Sequence, residues 1–329
     1  MRKRKLSRRD MLQGSLTASA ALAFGTVFAS PARAQAPPAE AITPQLIEAA
    51  KKEGKVVWYT SIDLSVSEKI AASFKEKFGG IEVRVERTGA ERVFQRIGQE
   101  YASNVHAVDI ANSSDAAHLL AWKRDGLLLP YVPEDVAKHY KPEHRDPDGT
   151  FAGFRATLSP IAYNTKLVKA EDAPASFKDL LDPRWKGKIV KAHPGYSGTI
   201  MTATYQMQRD LGWDYFEKLA RQGVMQVQSS ADPPKKLDLG ERAVMADGNE
   251  YNIFQMKEAG RPVEPVYASE GSPLIIGPNG IFKGSPNPNA AKLFQHFFFS
   301  AETQQMLVDV FAHRSFHYHT KRGMTPRLK

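Results

Sequence analysis

Lys55-Val-Val-Trp-Tyr-Thr-Ser61 is an apolar run closed by two hydroxyls, too short for a helix and rich in β-branched and aromatic residues, so it reads as a buried strand. Its flanks say what kind of sheet it joins. Upstream, Thr43 as N-cap and Pro44 at the first helical position open a helix with Leu46, Ile47, Ala49 and Ala50 at helical spacing, and Gly54 stops it. Downstream, Ile70, Phe74 and Phe78 mark one face of a helix over about 66–78, which Gly79-Gly80 ends. Residues 81–86 alternate as a strand, Thr88-Gly89 caps a helix to about 103, 108–110 is a short strand, and Ser113-Ser114-Asp115 begins a helix to 123. Strands alternating with helices in this way predict an α/β lobe with a largely parallel sheet.

The middle of the chain repeats the pattern. Strands are expected at 161–163, 188–190, 225–228 and 242–245, and helices at 200–210, opened by Ser197-Gly198-Thr199, at 213–220, and after Asp232-Pro233-Pro234. Strand character returns at 273–276 and 280–282, and two apolar helices, 290–299 and 301–311, follow. The expected architecture is two α/β lobes: residues 40–155 with about 272–329 as lobe I, and about 156–271 as lobe II.

A chain of 329 residues at ordinary apolar content, 42% before glycine is counted, is long enough for two such domains. The absence of cysteine excludes disulfides, thiolate metal sites and cysteine nucleophiles. The net charge of +9 would suit nucleic acid if it were clustered on a folded surface. Much of it sits instead in Arg2-Lys-Arg-Lys5 and Arg8-Arg9, ahead of a weakly apolar stretch over 16–29 and the sequence Ala32-Arg33-Ala34. That layout is an export signal with an A-x-A cleavage site, and Ser7-Arg-Arg-Asp-Met-Leu12 has the form of a twin-arginine signal. An apolar stretch of about 14 residues is short of the roughly 20 that span a bilayer. Residues 1–34 hold seven of the 45 basic residues and one of the 36 acidic ones, so cleavage leaves a net +3. A periplasmic product without nucleic acid as partner is expected.

Open α/β sheets bind ligands at the carboxyl ends of their strands, where helices present their amino termini. The strand-to-helix turns here are uniform: Thr60-Ser61, Thr88-Gly89, Ser113-Ser114-Asp115, Tyr196-Ser197-Gly198-Thr199 and Ser229-Ser230-Ala231-Asp232. Each offers hydroxyls and backbone N–H groups that favour an anion through open donors and the helix dipole. The same residues serve equally as N-caps worth about 1 kcal/mol each. His193 adds a possible charged donor or a solvated turn residue.

Catalytic and metal patterns are weak. Gly195-Tyr196-Ser197-Gly198 lacks the glycine two positions after the serine that a hydrolase nucleophile turn requires, which leaves a Ser197/His193 pair as a remote alternative. No phosphate-binding G-x-x-x-x-G-K-[ST] or G-x-G-x-x-G motif occurs. His313, His317 and His319 have spacings that can gather a metal, although a solvated cluster between Arg314 and Lys321 is the simpler expectation. Asp146-Pro-Asp-Gly149 is a turn too short for a calcium loop.

Four segments, Lys55–Ser61, Ala162-Tyr-Asn-Thr-Lys-Leu-Val168, Ser176-Phe-Lys-Asp-Leu-Leu-Asp-Pro-Arg-Trp-Lys-Gly-Lys188 and Gly240-Glu-Arg-Ala-Val244, resemble in the same order the family 1 extracellular solute-binding proteins of ABC importers, nearest the iron(III)-type branch. The resemblance implies a type II periplasmic binding protein: two lobes joined by two crossing strands, a monomer without cofactor, closing over its ligand by hinge motion and serving a permease in the inner membrane. Ferric members hold iron with an adjacent pair of tyrosines, helped in some by a histidine and a glutamate. Here Tyr251 stands next to Asn252, Ser61-Ile62-Asp63 has no histidine, and Ser114-Asp115 has no glutamate, a set short of the anionic oxygens a hard trivalent ion wants. A ferric site would draw on Tyr251, Glu250 and Asp115. Other members take organophosphates and phosphonates through hydroxyl-rich turns. The expected ligand is therefore a small organic anion, held by Thr60, Ser61, Thr88, Ser114, Ser197, Thr199 and Ser230, with His193, Tyr196 and Tyr251 shaping the pocket.

Overall fold

The structure, a computed structural model, describes residues 35–318 and 320. The export signal and His319 lie outside the described residues.

Thr43 accepts the Leu46 N–H at 3.1 Å and starts α1 (Pro44–Glu53), and Gly54, at φ 73°, ends it with the left-handed turn that only glycine enters freely. The first sheet then takes β1 (Lys55–Thr60), β2 (Glu82–Arg87) and β3 (Ile110–Asn112), in parallel, through α2 (Leu64–Lys77) and α3 (Ala90–Ala102). After α4 (Ala116–Arg124) and the short α5 (Glu134–His139), β4 (Ala152–Leu158) carries the chain out of this half. Ser159 and Pro160 separate it from β5 (Ile161–Asn164), the first strand of the second sheet. There β6 (Ile189–Ala192), β7 (Met225–Val227) and β8 (Val244–Met245) are parallel, with α6 (Gly198–Leu211), α7 (Trp213–Ala220), α8 (Asp232–Asp238) and α9 (Glu250–Glu258) between and after them. From β9 (Val263–Val266) the chain returns along β10 (Leu274–Ile281) and ends on α10 (Pro288–Phe299) and α11 (Ala301–Phe311). No helix of the described residues is long and apolar enough to cross a membrane.

The strand orders are β2-β1-β3-β10-β4 and β7-β6-β8-β5-β9. Each sheet keeps three parallel strands and adds two whose pairings, β10 with β3 and β4, and β5 with β8 and β9, are antiparallel. Two α/β lobes are therefore joined by two crossings, one after β4 and one between β9 and β10.

Several elements depart from the expectation. The strand expected at 108–110 lies at Ile110–Asn112, because the Asp109 carboxylate is taken by Val57 N–H at 2.7 Å and Asn287 N–H at 2.8 Å and pins the chain beside β1 before the ladder begins. The two strands expected near 273–276 and 280–282 are one, β10, with a register shift at Gly277/Pro278. Helix α3 starts on Gly89 without a side-chain cap, so Thr88 does not cap it. β4, α9 and β9 carry no periodic signal that sets them apart.

The run 176–188 folds as two short 3₁₀ turns, Lys178–Leu181 and Pro183–Trp185, that bury Phe177, Leu180 and Trp185. Its carboxylates shape it: Asp179 accepts from the N–H groups of Ala175 and Ser176, and Asp182 caps Arg184. In the first lobe the core centres on Trp58, Phe74, Phe294 and Phe298. Phe298 is fully buried and its ring meets those of Trp58, Phe154 and Phe294 at centroid distances of 4.9, 4.7 and 4.2 Å. Phe298→Ala should cost about 3–5 kcal/mol, read from the urea midpoint at unchanged slope.

Burial also holds His296 largely unprotonated, pushing its pKa down to about 4, while its Nε2 lies 2.7 Å from the Tyr131 hydroxyl. The unfolded chain binds that proton near pH 6.5 and the folded chain only near 4, so this stability is complete above 6.5 and falls away toward pH 4, by about 3 kcal/mol. Thermal melts of His296→Gln should show a correspondingly shallower decline over that interval than the native chain.

Candidate functional site

The parallel strands of both lobes end on facing edges, and the five hydroxyl-bearing turns meet there. β1 leads to Ser61, β2 to Thr88-Gly89, β3 to Ser114, β6 to Tyr196-Ser197-Gly198 and β7 to Ser229-Ser230, and all of these line one cavity of about 150 Å³ between the lobes. Ser114 N–H donates to Ser61 Oγ at 3.1 Å, which ties two of the turns together. Ser197 Oγ accepts the Ile200 N–H at 3.4 Å as N-cap of α6. α3 has no capping side chain, so its first-turn amides are left to whatever occupies the cavity.

Arg87 and Arg92, absent from the sequence-based set, line the same cavity, as do Gln228 and Ser229. Arg87 is oriented by a 3.1 Å bond from its Nε to the Ile62 carbonyl. Two guanidiniums beside an uncapped helix terminus make the cavity a positive site without any buried carboxylate in its lining. The available signal was local: a basic residue on either side of the one turn whose cap position is glycine.

The lobes are closed on each other at this cavity. Arg92 Nη2 donates to Gln228 Oε1 across the cleft at 3.2 Å, and its guanidinium carbon lies 5.9 Å from the centroid of the Tyr196 ring. A Cβ on Gly89 would lie 2.7 Å from the Tyr196 carbonyl oxygen, and one on Gly198 would lie 2.8 Å from Ala90 Cβ and 3.0 Å from the Asp115 amide. These glycines are needed for close approach of the two lobes, not for an unusual backbone angle.

The cavity gathers Ser61, Thr88, Ser114, Tyr196, Ser197 and Ser230 of the sequence-based set and leaves out the others. Thr60 is fully buried, its hydroxyl accepting from Ile62 N–H at 3.1 Å and lying 3.4 Å from Asn112 Oδ1, so it shapes the turn from behind. Thr199 is buried in the first turn of α6. His193 accepts the Gly195 N–H on Nδ1 at 3.0 Å and lines a different cavity, with Trp213 and Phe216. No Ser197–His193 pair forms among the described residues, since the Ser197 hydroxyl caps its own helix and His193 Nδ1 takes the Gly195 N–H.

The residues of the ferric alternative are also occupied elsewhere. Glu250 is fully buried, paired with Arg314 at 2.7 and 2.9 Å and with the Tyr267 hydroxyl at 2.5 Å. Asp115 caps α4 through the Ala117 N–H at 2.9 Å. Tyr251 lies under His313, ring to ring at 4.1 Å, and accepts from Asn249 Nδ2 at 2.9 Å. Burial, and next the nearby Asp63 charge, push its pKa well above the ordinary phenol value, so a phenolate is disfavoured where iron would need one. His313 and His317 are buried, not solvated.

Two α/β lobes, two crossing strands and a ligand-sized cleft at the strand ends define a type II periplasmic binding protein. Residues 107–326 match the bacterial extracellular solute-binding protein family, and the chain belongs to it. It is 30% identical over 242 residues to a candidate 2-aminoethylphosphonate-binding periplasmic protein of Salmonella typhimurium, covering 69% of this chain and 67% of that one. The fold is similar to that of the periplasmic binding protein AfuA from Actinobacillus pleuropneumoniae, solved with exogenous fructose-6-phosphate bound, at TM-score 0.77 and 25% identity over 83% of this chain and 88% of that one. It is also similar to iron-bound HitA from Pseudomonas aeruginosa, at TM-score 0.72 and 24% identity over 84% and 90% of the two chains. The chain is thus a periplasmic solute-binding component of an ABC importer and works with a permease.

Because the Gly198 clash arises only across the closed cleft, Gly198→Val should leave the fold intact and hold the lobes apart. Small-angle scattering should give a larger radius of gyration than the native chain, with an unchanged unfolding midpoint.

Proposed function

We propose that the cavity encloses one small organic anion, a phosphonate or phosphate monoester, when residues 40–155 with 272–329 close as one lobe on residues 156–271 as the other. The observation that carries this is the convergence of Arg87, Arg92 and the uncapped amino terminus of α3 with hydroxyls from five turns. Charge-assisted bonds to such an anion contribute about 1.5–3 kcal/mol each, so four or five reach micromolar affinity, about −8 kcal/mol, after association costs. The cavity is small beside the roughly 300–1,000 Å³ of pockets for drug-sized ligands, which favours a compact solute. The Salmonella relative is named for a phosphonate and AfuA holds a sugar phosphate, the same class of dianion.

Residues 1–34 act in this reading as a cleaved twin-arginine signal that delivers the chain to the periplasm as a monomer. The cleft holds its solute without turning it over in this reading, as suits the solute-binding family to which the chain belongs. Ser197 serves as a cap and donor.

Calorimetric titration of the exported protein with 2-aminoethylphosphonate, fructose-6-phosphate and ferric citrate should find micromolar binding to at least one of the two phosphorus compounds. Arg92→Ala should weaken it about tenfold or more. Silence toward both, with a red complex formed by ferric citrate and abolished in Tyr251→Phe, would overturn the reading in favour of a ferric carrier.

A further inference from the structure

The geometry points to a divalent transition-metal site away from the cleft, formed by Asp135, His139 and His317. Asp135 and His139 stand at i and i+4 on α5, one above the other, with Asp135 Oδ1 3.9 Å from His139 Nε2. The third group arrives from the segment after α11. Tyr318 N–H donates to the His139 carbonyl at 3.1 Å, and this backbone bond brings the His317 ring to 4.9 Å from that of His139, centroid to centroid. One ligand atom from each of the three lies within 4.8 Å of the other two. Ligands of a tetrahedral zinc ion at about 2.0–2.1 Å stand roughly 3.3 Å apart, so the set needs only a small inward rotation of side chains.

The parts are suited to that adjustment. His317 is buried, and its own amide donates to Ser315 Oγ at 3.0 Å, which fixes the loop that carries it. Asp135 and His139 are only partly buried and can turn toward it. Glu134 and Lys138 pair with each other at 2.5 Å and stay out of the set. Two imidazoles and one carboxylate select a first-row ion such as Zn²⁺ over Ca²⁺ or Mg²⁺, which take oxygen ligands, and three protein groups leave a coordination position open.

A second cluster of the same kind joins Glu91, Asp115 and His118: His118 Nδ1 lies 2.8 Å from Ser113 Oγ, Nε2 lies 3.1 Å from Glu91, and Asp115 caps α4, so it serves as the comparison in the test below. Metal at the Asp135 site would clamp the C-terminal segment onto α5. Three residues before His317, Arg314 makes the pair with Glu250 between the lobes, so the clamp would act on stability and leave the cleft's own donors untouched. The inference does not depend on the nature of the solute.

Titrating the chelator-treated, untagged full chain with Zn²⁺ should show one ion per chain at micromolar affinity and a rise in melting temperature. His139→Ala and Asp135→Asn should each weaken binding at least tenfold and abolish the rise, while His118→Ala changes neither. Absence of Zn²⁺ binding by the native chain, binding that survives both His139→Ala and Asp135→Asn, or binding lost on His118→Ala alone would overturn the assignment.

Discussion

Glu250 is the charge on which the two-lobe arrangement depends. Fully buried at the start of α9, in the second lobe, its carboxylate meets Arg314 from the C-terminal segment and Tyr267 from the returning crossing, and it stands 3.5 Å from the Leu158 amide at the end of the outgoing one. A carboxylate removed from water is tolerated only where its lone pairs are taken up, and here three separate pieces of backbone must converge to do it. Arg314 is itself set in place by a pair of 2.8 Å backbone bonds with Ala156. Arg314 is part-exposed while Glu250 is wholly buried, so loss of Arg314 would strand the carboxylate inside with Tyr267 as its remaining side-chain partner. The junction gives the two crossings a common anchor while the cleft, on the far side of the same strands, stays free to change.

That cleft works by contrast with its hinge. Its lining is hydroxyls, amides and two guanidiniums, of which Arg87 stands 3.7 Å from the Asp63 carboxylate behind it, and the lobes touch through glycine and alanine where larger residues would hold them open. The bonds between lobes near this edge include Arg92 to Gln228 at 3.2 Å, Thr202 to the Ser114 carbonyl at 3.4 Å, Asn252 to Asp63 at 2.8 Å and Gln206 to the Leu274 carbonyl at 2.8 Å. An anion that uses donors from both lobes at once binds the closed form better than the open one and so shifts the balance toward closure.

Between hinge and cleft lies a polar interior that belongs to neither. Arg155 on β4 is buried with Nε and Nη1 unpartnered among the described residues, and His313 likewise on both ring nitrogens. Burial lowers the proton affinity of both, and Arg155 disfavours a second positive charge on His313. Tyr251 sits in this interior, against His313, and does not line the cavity.

How far the sequence reached is clear from particular residues. Thr43, Gly54, Gly79-Gly80 and the serines ahead of α4, α6 and α8 marked helix boundaries because caps and left-handed turns are local, settled within four residues of chain. The six hydroxyl and aromatic residues that do line the cavity were legible for the same reason, since a strand-to-helix turn places them by itself. Arg87 and Arg92 were missed because a guanidinium reaches far from its own backbone, and only the opposing lobe decides whether it faces solvent or ligand. Thr60, Thr199, His193 and Tyr251 read as ligand residues and do not line this cavity, because facing inward does not say into which space. β4 and the Glu250–Arg314 pair were likewise invisible, being defined by partners at 64 residues' distance or more along the chain. The sequence alone determined the alternation of strand and helix, the family and the chemistry of the turns. Tertiary structure decided which turns face each other, since that depends on how two sheets cross and not on any local propensity.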